Sequence, residues 1–260
     1  MHVLRSWYQR GSKTRGRSIK ANVAFVLLIQ HFPIKYSCTS NNSNLVVDKF
    51  TMVYKLKYFD LRARAECARM IFHYANVPFE DIRIERGNWP AEKPNTPYGQ
   101  IPVLEFDDGR QMAQSFAINR YLAAKFGLAG KDEEEKAHLD EVLELFREMS
   151  DQFTQYFRVL LGFGQGDKDQ LRREQFLPAI EKYLPFLEKK LNESGSGFFA
   201  KSGPSYVDFQ ISEIVDTLRQ PQYEQKIFEE KAAFLIEHSK RVHELPQLQD
   251  YLSKRKQTPI

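Results

Sequence analysis

Two side chains of this chain, a tyrosine and a cysteine, stand at positions where they could act on a thiol or an anion. Tyr58 lies near the end of a stretch that alternates at period two, and a hydroxyl there can donate a hydrogen bond to a bound anion. Cys67 falls early in a predicted helix, where a thiolate would be stabilised. It is either a nucleophile or a buried packing residue, and we favour packing. The six histidines show no metal-ligand spacing, so we expect no metal site.

The strands and helices that must position these side chains alternate along a segment of about 75 residues. Alternation and turn residues predict four strands, and apolar residues at helical spacing predict the helices. The predicted order is a strand at 53–59, a helix at 64–75, a strand at 79–84, a polar loop at 85–100, a strand at 101–106, a hairpin strand at 111–113 and a helix that Ser115 caps.

Beyond a linker at 126–130, the pattern is helical almost throughout. Two long amphipathic stretches cover 132–161 and 168–191, the first broken near Gly162 to Gly166. Ser205 and Asp208 predict a capping box, and Pro246 opens a final short helix. A small α/β unit is therefore followed by an all-helical one.

The first 51 residues differ in composition from the rest of the chain. They hold eight basic side chains and one acid, whereas the remaining 209 residues hold 30 basic and 33 acidic side chains. The folded body is thus mildly acidic, and we expect no nucleic-acid partner. With two cysteines in the whole chain, a reducing compartment such as the cytoplasm is the expectation.

An apolar run at 21–29 follows the basic residues of this extension. Nine residues are too few to span a bilayer, which needs about 20, so no membrane span is predicted. The extension could be a secretory signal, a mitochondrial presequence, or a segment without a targeting role, which is either a disordered tail or the result of a start codon assigned upstream of Met52. We favour the last, and secretion or mitochondrial import remain the alternatives.

The motifs of the body resemble those of cytosolic glutathione transferases, most closely the sigma class and its nematode relatives, which are related to haematopoietic-type prostaglandin D synthase. The matching stretches are Tyr58–Glu66, Asn88–Pro90, Gly99–Leu104, Gln114–Ser115, Ser205–Asp208 and Leu245–Leu252. The resemblance covers 52–260. It implies a thioredoxin-like glutathione-binding domain at 52–127, an all-helical domain at 131–260, and a homodimer.

The resemblance also assigns a catalytic pair. A free thiol with a pKa near 8.5 is only about 3% ionised at pH 7, and a hydrogen bond to the thiolate lowers that pKa. Tyr58 stands at the family's position for donating this bond, with Tyr54 as a neighbouring alternative. Arg64 would support the pair electrostatically. Ala63 replaces a glycine that is common in the family.

Glutathione would be held along its length by residues on either side of the third strand. The Ile101-Pro102 pair matches a cis-proline motif that presents the main chain of Ile101 to the cysteinyl part of the ligand. Gln114 and Ser115 would bind the γ-glutamyl carboxylate at a helix N-terminus.

The glycyl end of glutathione would meet a second group of residues. Trp89 and Lys93 match residues that contact it in sigma-type enzymes, and Gln100 stands where the family often has another lysine. Glu148, with Asp151 as a rival, matches the acid that the partner subunit contributes.

The implied activity is conjugation of glutathione to hydrophobic electrophiles, the chemistry of detoxification. We expect the electrophile pocket to be lined by aromatic and aliphatic residues, namely Phe59, Leu61, Phe153, Tyr156, Phe157 and Leu160. Arg147 and Glu148 replace the paired aspartates of prostaglandin-isomerising relatives, which counts against that activity. The alternative function is a binding protein for haem or another hydrophobic ligand.

Overall fold

The alternating stretch around Tyr58 forms β1 (Tyr54–Phe59), whose alternate side chains point into the core. The structure is a computed structural model, and it describes residues 53–258 and 260. The hypotheses about residues 1–51 and the second start at Met52 lie outside the described residues.

Strand β1 lies inside a four-stranded sheet of order β2-β1-β3-β4. β2 (Phe79–Ile84) runs parallel to it, while β3 (Val103–Glu105) is antiparallel to β1 and to β4 (Gln111–Ala113). Helix α1 (Ala63–Tyr74) makes the crossover between the parallel strands and packs against α3 (Ser115–Phe126). β3 is shorter than predicted at both ends, because Pro102 has no amide to pair and Phe106 belongs to the hairpin turn, where its amide donates to the Arg110 oxygen at 2.9 Å.

The polar loop predicted at 85–100, between β2 and β3, contains regular structure that was not predicted. It contains two 3-10 turns, Arg86–Asn88 and Lys93–Asn95, on either side of the single turn α2 (Trp89–Glu92). Pro90 and Pro94 each stand in the first turn of one of these elements, where the missing proline amide costs no hydrogen bond.

The remainder of the described chain is helical. Its elements are α4 (Glu133–Gln152), α5 (Thr154–Leu160), α6 (Lys168–Leu171), a π-helical turn (Arg172–Phe176), α7 (Leu177–Ser194), α8 (Tyr206–Leu218), α9 (Gln225–Lys231), α10 (Ala233–His243), a 3-10 turn (Pro246–Leu248) and α11 (Gln249–Lys254). The first long stretch was predicted to continue to residue 161. It divides instead at Phe153, whose φ of −114° and ψ of 19° interrupt the helix.

Helix α8 is the buried centre of the helical part, packed against α1, α4 and α10. The predicted capping box is confirmed, since Asp208 accepts hydrogen bonds from the amide and the hydroxyl of Ser205 at 2.8 and 2.6 Å. Asp208 also accepts from the Phe199 amide at 2.8 Å and lies 2.7 Å from Nε2 of His238. Because one carboxylate joins three segments, the start of α8 is held in place.

The segment after α11, formed by Arg255 to Thr258 and Ile260, returns to the connection between β1 and α1. The Arg62 amide donates to the main-chain oxygen of Ile260 at 3.0 Å, and the Arg255 guanidinium donates to Glu66 at 3.1 Å. Residues about 200 positions apart in sequence thus meet at one end of the sheet. In the described part of the chain, no helix is both long and apolar enough to cross a membrane.

Candidate functional site

A cavity of about 980 Å³ opens where the end of β1 faces α4, α5 and α8. The α/β part contributes Tyr58, Phe59, Leu61, Ala63, Arg64, Arg86, Trp89, Ser115 and Phe116. The helical part contributes Phe146, Arg147, Ser150, Asp151, Phe153, Thr154, Phe157, Arg158, Leu161, Phe163, Gln210, Glu213, Ile214, Thr217 and Ile260. The walls therefore combine many aromatic rings with a few charged groups.

Tyr58 is 6% exposed and lines this cavity. Burial raises the pKa of its hydroxyl, against the smaller lowering effects of the main-chain amide and the charge of Arg64. The hydroxyl is therefore protonated at neutral pH and can donate a hydrogen bond. The alternative tyrosine, Tyr54, packs in the core against Phe72 and Phe106, outside the cavity lining.

Arg64 lies on the first turn of α1, faces the cavity and has no ion pair within the described residues. Ala63, immediately before it, has a φ of 34°, in the left-handed region that favours glycine. Alanine, where the family often has glycine, is therefore strained at this position, at a cost of about 1 kcal/mol. This turn aims Arg64 at the cavity.

Gln114 and Ser115 adopt an arrangement that differs from the predicted cap. Gln114 occupies the N-cap position with φ 72° and ψ 108°, no side chain caps α3, and Ser115 is the first helical residue. The prediction that Ser115 caps the helix is wrong, because the sharp turn at Gln114 starts the helix one residue earlier than predicted. Ser115 instead lines the cavity. The side-chain amide of Gln114 donates to the side-chain oxygen of Gln100 at 3.3 Å, which brings two of the predicted glutathione contacts together.

The remaining predicted contacts divide between the cavity and its surroundings. Trp89 lines the cavity and meets the Phe59 ring edge to face, with ring centres 5.5 Å apart. Lys93 is exposed, and neither it nor Ile101 nor Pro102 is among the lining residues. The peptide bond between Ile101 and Pro102 is cis, as the sequence predicted.

The prediction of the electrophile pocket is wrong for two of its six residues. Phe59, Leu61, Phe153 and Phe157 line the cavity, but the other two expected residues, Tyr156 and Leu160, line a separate cleft of about 350 Å³. The Tyr156 hydroxyl donates to Glu224, beyond the end of α8, and this bond turns that face of α5 away from the cavity.

Several lining residues were not anticipated. On α8, Gln210, Glu213, Ile214 and Thr217 recur at helical spacing. The predicted cap at Ser205 identified the helix, but only packing determines which face of that helix meets the cavity.

Glu213 is an unusual member of this lining. Its carboxyl is 1% exposed, and neither oxygen has a hydrogen-bond partner among the described residues. The Arg62 Nε lies 3.7 Å away and the Arg255 guanidinium 3.8 Å away. Burial, and next the charge of Glu66, raise the pKa of Glu213 to about 8.

Cys67 is buried in α1, and its thiol donates to the main-chain oxygen of Tyr206 at 3.4 Å. Burial raises the pKa of this thiol well above its usual range. The packing hypothesis is confirmed. Within residues 53–258 and 260, no cluster of His, Cys, Asp or Glu side chains could hold a metal ion.

The residue proposed to act in a partner subunit lies outside its own chain's cavity. The Glu148 carboxylate on α4 accepts from the Tyr183 hydroxyl at 2.5 Å, and its side chain is 60% exposed. Its rival, Asp151, lines the cavity of its own chain.

Comparison with known proteins supports the same interpretation of the fold. A family model described as the glutathione S-transferase N-terminal domain matches residues 54–124, and one described as the C-terminal domain matches 150–255. Glutathione S-transferase 1 of Ascaris suum is 42% identical over 206 residues, which cover 79% of this chain and 98% of that protein.

Two solved structures extend the comparison. The structure described as monomeric Na-GST-3, a glutathione S-transferase of the hookworm Necator americanus, is 37% identical with a TM-score of 0.73, covering 80% of this chain and 99% of that one. Prostaglandin synthase D of Nilaparvata lugens is 32% identical with a TM-score of 0.69, covering 79% and 100%. The chain belongs to the glutathione S-transferase family and is a transferase with a thioredoxin-like N-terminal domain and an all-helical C-terminal domain.

Proposed function

We propose that this transferase activates the thiol of glutathione with the Tyr58 hydroxyl and conjugates it to hydrophobic electrophiles. The observation that carries the proposal is a buried, protonated Tyr58 hydroxyl in the same cavity as Arg64 and Ser115. A donor in a poorly hydrated site stabilises a thiolate more than water does, because the bond is already oriented. The positive charge of Arg64 adds to this effect.

Glutathione would lie along the edge of the sheet next to β3. The N-terminus of α3, with Gln114 and Ser115, offers unpaired amides to the γ-glutamyl carboxylate. By resemblance, the main chain of Ile101 would pair with the cysteinyl part. Trp89, Lys93 and Gln100 would contact the glycyl end.

The electrophile would occupy the aromatic part of the cavity. Phe116, Phe146, Phe153 and Phe157 supply apolar surface facing the tyrosine. With a chloronitrobenzene, the thiolate attacks the ring carbon, the C–S bond forms, and chloride leaves with the electron pair of the C–Cl bond. The chain's residues need only orient the two partners and keep the sulfur ionised.

We further propose a homodimer in the cytoplasm, in which Glu148 reaches the γ-glutamyl site of the partner. The exposure of Glu148 on α4 leaves it accessible for this role. Sedimentation velocity gives the oligomeric state, and a monomer that retains full activity would contradict the assignment of Glu148.

The proposed function is tested by conjugation of 1-chloro-2,4-dinitrobenzene with wild type, Tyr58→Phe and the matched control Tyr54→Phe. Loss of a hydrogen bond to a charged group costs about 1.5–3 kcal/mol, so Tyr58→Phe should lower kcat/KM by about 10- to 150-fold. The pKa of the bound thiol, followed by thiolate absorbance, should rise by about one to two units. Tyr54→Phe should change neither quantity.

Two outcomes would contradict the proposal. Wild type without conjugating activity would remove the enzymatic function and leave the hydrophobic-ligand alternative, which haem titration would then test. Equal activity in wild type and Tyr58→Phe would remove Tyr58 from the mechanism while leaving conjugation intact.

A further inference from the structure

The charges around the cavity are strongly unequal. Four arginines line it, namely Arg64, Arg86, Arg147 and Arg158, against two acids, Asp151 and Glu213. Because burial raises the pKa of Glu213 to about 8, this carboxyl is largely uncharged at pH 7. Asp151 is then the main opposing charge, and the cavity carries net positive charge.

Three of these arginines have no ion pair with a protein carboxylate in the described part of the chain, and one of the three, Arg64, is already assigned to glutathione. Arg147 pairs with Glu144, at 2.8 Å from Nε to the carboxylate. Arg86 and Arg158, in contrast, form no ion pair within the described part of the chain. The guanidinium of Arg86 lies 4.3 Å from the centre of the Phe163 ring, a contact that leaves the edge of the guanidinium free to donate.

The positions of the two arginines are as informative as their charge. Arg86 follows β2, and Arg158 belongs to α5 with Phe157 beside it. Both are exposed, so they line the cavity from its solvent side, whereas Tyr58 is buried. An amphipathic molecule can therefore place its apolar body against the aromatic residues while an anionic group meets the guanidinium groups.

Resting on the proposed conjugation function, we propose that the preferred second substrate is an anionic amphipathic electrophile, whose carboxylate or similar group is bound by Arg86 and Arg158. These residues determine specificity, and Tyr58 and Arg64 act on glutathione. Neutral electrophiles of the same size bind the aromatic walls alone.

The test uses a matched pair of probes, 4-chloro-3,5-dinitrobenzoate and the neutral 4-chloro-3,5-dinitrobenzamide. Glutathione displaces chloride from either ring, so the reaction is the same and only the remote charge differs. The measured quantity is the ratio of kcat/KM for the anion to that for the amide. Intrinsic reactivity of the two rings cancels when this ratio is compared between variants.

We expect Arg158→Gln and Arg86→Gln each to lower the ratio by about tenfold, the effect of losing one charge-assisted hydrogen bond. The control Arg173→Gln removes an exposed positive charge from the π-helical turn, outside the cavity lining, and should keep the wild-type ratio. Isothermal titration calorimetry of each probe without glutathione gives the corresponding ratio of Kd values. This ratio can be measured even if the enzyme does not turn the probes over.

The outcomes separate the two proposals. A wild type that conjugates neither probe contradicts the proposed function, but the Kd ratio still decides the present inference. If both ratios are unchanged in Arg86→Gln and Arg158→Gln, or fall equally in Arg173→Gln, the two arginines do not bind the substrate's anionic group.

Discussion

The buried carboxyl of Glu213 gives the sharpest prediction for stability. Its pKa of about 8 in the folded protein lies far above the usual value near 4.3 for the unfolded chain. Between these two values the folded state binds a proton that the unfolded state has released. The free energy of unfolding should therefore fall as pH rises through this window, by at most about 1.4 kcal/mol per pH unit.

Glu213→Gln keeps the shape of the side chain and removes the titration. Relative to wild type, the variant should gain stability as pH rises, by at most about 3 kcal/mol between pH 6 and pH 8. The nearby charges of Arg62, Arg255, Glu66 and Asp216 are common to both proteins, so the difference between the two pH profiles isolates Glu213. The expected gain is smaller than this limit, since neighbouring groups share the proton.

Urea unfolding at fixed protein concentration, at pH 6, 7 and 8, measures the two profiles. Glu134→Gln is the control, because it removes an exposed carboxylate from the first turn of α4. Parallel profiles for wild type and Glu213→Gln would refute the reasoning. Such parallel profiles would mean that Glu213 is already ionised at pH 6 and is held by the two arginines.

Two further predictions follow from buried groups. Asp208→Ala should lower the free energy of unfolding by about 3 kcal/mol, because it leaves several buried donors without an acceptor. The exposed cap variant Asp132→Ala should lower it by only about 1 kcal/mol. Urea unfolding compares the two variants, and equal losses would contradict the importance of burial. In a Cys38→Ser background, Cys67 should not react with Ellman's reagent at pH 8 until the protein is unfolded, and rapid labelling of the folded protein would contradict the assignment of Cys67 as a packing residue.

Local sequence patterns predicted much of the fold. β2 and β4 occur at the predicted residues, α1 is shifted by one residue at each end, and the capping box at Ser205 is present. Each of these depends on residues a few positions apart. The division at Phe153 and the turn at Gln114 were missed, because both depend on backbone conformations that tertiary packing imposes.

The site shows the same division between local and distant determinants. Tyr58, Arg64, Trp89 and Ser115 were chosen from motifs and share one cavity. The stripe on α8 that includes Glu213 was not predicted, since its orientation is determined by contacts with α1 and α10. Tyr156 was assigned to the wrong cavity because helical spacing alone does not reveal a partner as distant in sequence as Glu224.

The segment after α11 has a consequence for how substrate range can diverge. Ile260 forms part of the cavity wall, yet it lies at the opposite end of the folded sequence from β1, which carries Tyr58. A substitution or a short insertion in this segment can reshape the space for the electrophile without altering a residue of the α/β domain. Selectivity toward the electrophile can therefore diverge while the strand that carries Tyr58 stays unchanged.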